Sequence, residues 1–180
     1  MRRGEAIIRL PGLDQDSATI SPCGRYRYAL TRGWGSGFRA TWIMLNPSTA
    51  DASLDDPTIR RCKSFSSSWG CGALTVVNLY AWRATDPAQL KLPGRDIIGP
   101  DNDDTIRAAV IPAARYGWPV IAAWGANADI ERAGQVTEMV ERAGVVLKCL
   151  GATKSGHPRH PLRLDGRTPL EMYRHHEAKR

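Results

Sequence analysis

The sequence predicts an α/β protein, a three-layer α/β/α arrangement around a central, mainly parallel, four-stranded sheet. Two observations carry that expectation. Four short apolar runs have the length and the β-branched content of buried strands. Helix signals alternate with most of them, the pattern of a parallel sheet covered on both faces. At 180 residues the chain fits one domain with a proper core. The expected organisation is a single domain over residues 1–180, with residues 1–40 as an N-terminal extension packed on it.

The extension holds a β-like run, Tyr26–Leu30, and a glycine-rich loop from Gly33 to Gly37. The first buried strand is Thr41-Trp42-Ile43-Met44-Leu45, which stops at Asn46-Pro47 because proline cannot donate to a ladder. Asp55-Asp56-Pro57 is a helix start, an acidic cap with proline in the first turn, and the helix should reach about Trp69. Leu74–Leu79 is the second strand. Asp86-Pro87 opens a short helical turn, and Asp101-Asn102 opens a longer helix interrupted at Pro112. Val120–Trp124 is the third strand, a helix from about Asn127 to Arg142 follows, and Val145–Cys149 is the fourth. A basic loop, Gly151–Arg167, leads to Thr168-Pro169, which should cap a terminal helix ending near His175-His176.

The formal net charge is +7 and the isoelectric point about 9.6, a balance that favours a polyanionic partner. No apolar run is long enough to span a bilayer, and the charged N-terminus lacks the apolar segment of a signal peptide. A cytoplasmic, monomeric protein is expected. Cys23, Cys62, Cys71 and Cys149 form no C-x-x-C pair; ordinary cysteines, with no metal and no cofactor, are the expectation.

In parallel sheets ligands sit beyond the carboxyl ends of the strands. That rule singles out Asn46, Asn78, Trp124-Gly125 and the loop after Cys149. At the same places the chain resembles a known superfamily. Met44-Leu45-Asn46-Pro47-Ser48, Val76-Val77-Asn78, Ala123-Trp124-Gly125-Ala126-Asn127-Ala128 and His157-Pro158-Arg159-His160-Pro161-Leu162 are similar, in order, to the motifs of the uracil-DNA glycosylases. Asn-Pro-Ser-Thr-Ala-Asp and Gly-His-Pro-Arg-His-Pro-Leu also resemble a narrower bacterial and phage family catalogued as a domain of unknown function.

That resemblance implies a monofunctional DNA N-glycosylase: a hydrolase that flips a pyrimidine from double-stranded DNA and leaves an abasic site. Such chemistry needs a donor for the departing base, a holder for water and a reader for the base edge. A histidine of the last loop, His157 or His160, would stabilise the leaving base; spacing does not choose between them. Asn46 would hold water. Many members of the superfamily place aspartate there, so help from a carboxylate is expected, with Asp51, Asp55 and Asp56 in reach and helix capping the alternative for the last two. Asn78 would pair bidentately with the pyrimidine edge, or simply cap a turn.

Ser48 stands where uracil-specific relatives carry a tyrosine that blocks the pyrimidine 5-position. The implied substrate is a 5-modified base, such as the hydroxymethylated or glucosylated cytosine of phage DNA, with anti-phage defence as the implied setting. Arg60 and Arg61 would contact the modification. Phe65 and Trp82, along with Trp69 and Tyr80, are candidates for stacking on the base or for the core. Lys154, Arg159 and Arg163, with the intercalating Leu162, would face DNA, or form a solvated loop. The alternatives from other classes are a non-catalytic module that binds modified DNA and a nucleotide or nucleobase N-glycoside hydrolase.

Overall fold

The computed structural model describes residues 16–48, 54–86, 88, 90 and 93–174. Among them one mixed sheet of seven strands runs β1 (Ser17–Ile20), β2 (Arg27–Gly33), β4 (Cys71–Asn78), β3 (Phe38–Met44), β5 (Val120–Ala122), β6 (Leu147–Cys149) and β7 (Glu171–Met172) across its width. The expected four-stranded sheet is therefore too small. Its four strands are the centre, β4-β3-β5-β6, and these pair parallel to one another. Antiparallel strands extend both sides: β1 and β2 beyond β4, and β7 beyond β6. β1 and β7 are short and mostly solvent-facing. Edge strands of that kind carry no apolar alternation to announce them.

Side chains alternate across the central strands, so each face gathers its own core. Trp42, Met44, Leu74, Val76, Ile121 and Ala123 pack with Ile59, Cys62 and Phe65 of helix α1 (Pro57–Ser68). Ile43, Leu45, Val77, Leu79, Val120 and Ala122 pack on the other face with α2 (Asn102–Tyr116) and α3 (Ile130–Arg142). Helices thus cover both faces of the sheet.

Asp56 is the N-cap of α1, its Oδ1 accepting the Ile59 N–H at 2.8 Å. Pro57 follows at the first helical position, where its missing N–H costs nothing. Three expectations are corrected. Pro112 does not interrupt α2: the helix runs on to Tyr116, and the carbonyl left without a donor belongs to the exposed Ala108, where water can serve it. Asp55 is not a cap; its carboxylate pairs with buried Arg32 at 2.7 Å and Lys63 at 3.1 Å, which lowers its pKa despite the opposing effect of burial. The segment after Thr168 forms β7 where a helix was expected, because Glu171 and Met172 pair with Cys149 and Lys148 and close the edge of β6. His175 and His176 lie outside the described residues.

A β-bulge decides one side chain of consequence. Thr19 pairs with Ala29, but Ile20 pairs with Arg27, so Tyr28 is an extra residue on β2. The bulge breaks the alternation of the strand. Arg27 joins the face of α1, among Met44, Ile59 and Val76, while Tyr28 turns to the opposite side beside Gly99 and Asp101.

Candidate functional site

A cavity of about 270 Å³ opens beyond the carboxyl ends of the parallel strands, on the face covered by α1. Its walls come from seven stretches of chain. The end of β3 and the turn after it supply Met44, Asn46 and Ser48; the start of α1 supplies Asp56, Thr58 and Ile59. β4 ends in the cavity at Asn78, the turn after β5 adds Trp124 to Asn127, and the loop after β6 adds His160. Arg27, from the bulge of β2, and Ala84 with Thr85, from the chain after β4, complete it.

Asn46 is fixed by its amide nitrogen, which donates to the carbonyls of Pro47 at 3.1 Å and Ala84 at 2.8 Å. Those bonds identify the nitrogen and leave Oδ1 as the acceptor that the residue can offer a ligand or a water. Ser48 donates its hydroxyl to Asp56 Oδ2 at 2.6 Å. Asp56 is therefore both the cap of α1 and a carboxylate on the cavity wall, and its oxygens keep lone pairs beyond the two bonds they accept.

Asn78 is 1 % exposed, and its Nδ2 meets no acceptor among the described residues. An unmet buried donor costs free energy, and because Asn78 lines the cavity, a ligand carbonyl there is the partner its amide would take. The backbone around it is clamped. Buried Asn102 donates to the carbonyls of Asn78 at 3.0 Å and Leu79 at 3.1 Å, and Arg132 Nε donates to Leu79 at 3.0 Å. Trp124, also on the wall, is a second buried residue whose Nε1 finds no acceptor among the described residues.

His160 reaches the cavity because its loop is sewn to the strand ends. Gly125 N donates to Pro158 O at 3.0 Å, and Arg159 N donates to Gly151 O at 2.9 Å. Gly125 has φ of +75°, a conformation that glycine adopts freely, and a Cβ there would lie 3.5 Å from the His160 Cβ. Burial pushes the His160 pKa below its ordinary value, and the charge of Asp56 opposes part of that shift. Its Nδ1 accepts the Leu162 N–H at 3.3 Å. The neutral ring then carries its proton on Nε2, where it is a hydrogen-bond donor.

Arg27 is 2 % exposed, and burial lowers its pKa to about 10, with Asp56 acting in the opposite sense. It remains a cation at neutral pH. Sequence reasoning missed it. The available signal was a charge inside the otherwise apolar run Tyr26–Leu30.

The cavity thus unites Asn46, Ser48, Asn78 and His160 with Asp56 and Arg27, and leaves other candidates elsewhere. His157 does not line it; its backbone N–H donates to Thr153 Oγ1 at 3.1 Å in the outer part of the loop. Phe65 is core, stacked on Trp69 and tilted against Trp42, so it stacks on no ligand. Trp82 bridges to Tyr26 and lies under the Arg95 guanidinium, off the cavity. Arg60 donates to the Asp55 carbonyl, and Arg61 donates to Leu164 O while covering the Phe65 ring. Neither arginine lines the cavity, because the inward phase of Ile59, Cys62 and Phe65 sets both on the flank of α1. Lys154, Arg159, Leu162 and Arg163 are exposed along the loop that carries His160. Asp51 lies outside the described residues.

Of the cysteines, Cys23 is exposed and Cys62, Cys71 and Cys149 are buried, all four as free thiols. Among the described residues no three His, Cys, Asp or Glu side chains converge on a metal site, and no helix is long and apolar enough to cross a membrane.

No curated protein and no solved structure matches the chain significantly. The model of one protein family, described as protein of unknown function (DUF1643), matches residues 27–162, well over half of the chain. That span contains every strand and loop that lines the cavity, and the chain belongs to the DUF1643 family.

Proposed function

We propose that this protein is a monofunctional DNA N-glycosylase that hydrolyses the bond between a flipped, 5-modified pyrimidine and its deoxyribose. The single observation that carries the reading is the cavity itself. It gathers an acceptor for water, a carboxylate, an amide donor with no partner among the described residues and a neutral histidine from segments more than a hundred residues apart.

Its volume is small, below the usual range of ligand cavities, and suits one heterocycle. In this reading the Asn78 amide reads the edge of the ring. Asn46 Oδ1 and the Asp56 carboxylate hold a water against the sugar. As the C1′–N bond breaks, its electron pair stays with the base, and the His160 Nε2–H donates to the base oxygen that gathers the negative charge. The water oxygen bonds to C1′, and its proton passes to Asp56. Asp56 thus does what asparagine at position 46 cannot. Ser48 leans on Asp56 and puts little bulk into the cavity, which favours a substituted base. The exposed basic residues beside His160 suit the phosphates of duplex DNA.

The test is abasic-site formation on duplexes carrying cytosine, uracil, 5-hydroxymethylcytosine or glucosylated 5-hydroxymethylcytosine. Abasic sites on 5-modified duplexes, lost in His160→Ala while DNA binding persists, support the reading. Unchanged cleavage by that variant, or cleavage of uracil alone, contradicts it. Tight binding to modified DNA without cleavage would mark a binding module, and hydrolysis of free nucleotides alone would mark a nucleotide hydrolase.

A further inference from the structure

A second cavity of about 810 Å³ adjoins the first and shares Ala126 and Asn127 with it. The opposite walls are also contiguous in the chain: Ala84 and Thr85 line the small cavity, and Asp86 lines the large one. Tyr80, Leu90, Ile97 and Asp129 complete the polar and apolar sides. Asp86 accepts the Ala88 N–H at 2.9 Å through Oδ1, and Asp129 accepts the Arg132 N–H at 2.9 Å through the same atom, so each keeps an oxygen for a ligand. Among the described residues no lysine or arginine lines this cavity.

We propose that the second cavity holds a neutral, hydroxyl-bearing substituent of the flipped base, a hexosyl group in particular. The inference rests on the base-excision reading above and names the part of the substrate which the small cavity cannot contain. Among the described residues the lining carries two carboxylates and no cation, a balance that disfavours the phosphates of a DNA backbone and suits a neutral group. Carboxylates accept from hydroxyl groups and an asparagine both accepts from and donates to them, while Leu90 and Ile97 offer apolar surface to the C–H faces of a sugar ring. The cations Lys154, Arg159 and Arg163 belong to the His160 loop and line neither cavity.

The experiment measures binding and abasic-site formation on duplexes with one 5-hydroxymethylcytosine or one glucosylated 5-hydroxymethylcytosine. Wild type is compared with Asp86→Ala and Asp86→Asn, two changes at an exposed position. The glucosylated duplex should bind wild-type protein about 10-fold tighter, the worth of one hydrogen bond to a charged group. Asp86→Ala should bring the ratio close to one and leave the hydroxymethylated duplex unaffected; Asp86→Asn should retain part of the preference. Equal binding of both duplexes by wild type, or a preference that Asp86→Ala does not change, overturns the proposal. If abasic sites form without that preference, the second cavity fails and the glycosylase reading stands. If the preference is present and sensitive to Asp86 but no abasic site forms, the cavity stands and the glycosylase reading fails.

Discussion

Asp56 serves two roles that one substitution separates. As the N-cap of α1 it accepts the Ile59 N–H, and as a wall of the cavity it takes the Ser48 hydroxyl and faces Arg27 and His160. The change Asp56→Asn would keep the cap, since asparagine caps as well as aspartate, and Ser48 could turn its hydroxyl to accept from the new amide. What Asp56→Asn removes is the charge that helps buried Arg27 stay protonated, so a loss of about 1 kcal/mol is expected, on the scale of one charge contact. Asp56→Ala would lose that charge as well as the cap, about 1 kcal/mol, and the Ser48 bond, about 1 kcal/mol more, about 3 kcal/mol in all. For a domain of this size each 1 kcal/mol moves Tm by about 2–4 °C. Thermal unfolding should therefore rank wild type, Asp56→Asn and Asp56→Ala in falling order, with Asp56→Asn lower by about 2–4 °C and Asp56→Ala by about 6–12 °C. Single-turnover abasic-site formation should behave differently, with both variants slower by about 10²- to 10⁴-fold, the usual worth of a general base. Asp56→Asn with a wild-type rate would refute the catalytic role and leave a helix cap.

Three further outcomes are expected. Asn78→Ala deletes a donor that is unmet among the described residues, so Tm should change by no more than about 2 °C, while base recognition weakens by about 10- to 100-fold; a large fall in Tm with unchanged activity would contradict this. Asn102→Ala removes two bonds to the carbonyls of Asn78 and Leu79, so a cost of about 2 kcal/mol in denaturant unfolding is expected, with KM raised more than kcat is lowered. His160 has a folded pKa below its ordinary value. The unfolded chain therefore binds its proton first as pH falls, and the contribution of His160 to stability is complete above about 6.5 and lost progressively below it. His160→Gln should abolish that part of the decline in Tm between about pH 7.5 and 5; identical pH profiles for variant and wild type would contradict the shift.

The central strands and Asn46 and Asn78 were legible because parallel strands are buried on both faces, and their apolar runs stop where the cavity starts; Ser48 was singled out only through its resemblance to the superfamily motif. α1 was legible through Asp56 and Pro57. Arg27 was not, because a one-residue bulge at Tyr28 reverses the facing that strict alternation assigns. β1 and β7 were hidden by their exposure, and β2 showed only as a β-like run. The two histidines of the last loop have equivalent local sequence. They are separated by long-range bonds, Gly125 to Pro158 above all, which bring His160 and not His157 to the strand ends. Phe65 could have been assigned to the core from its helical spacing with Ile59 and Cys62. Arg60 and Arg61 follow from the same phase: once Asp56 and Ile59 fix the start and facing of α1, both fall on its flank.

The most direct measurement is the release of free base, followed by mass spectrometry, from duplex DNA bearing a single hydroxymethylated or glucosylated cytosine. The account predicts one free modified base and one abasic site per duplex from wild-type protein, with release slowed at least about 100-fold by His160→Ala. No free base from either duplex, or equal release by wild type and His160→Ala, would contradict it.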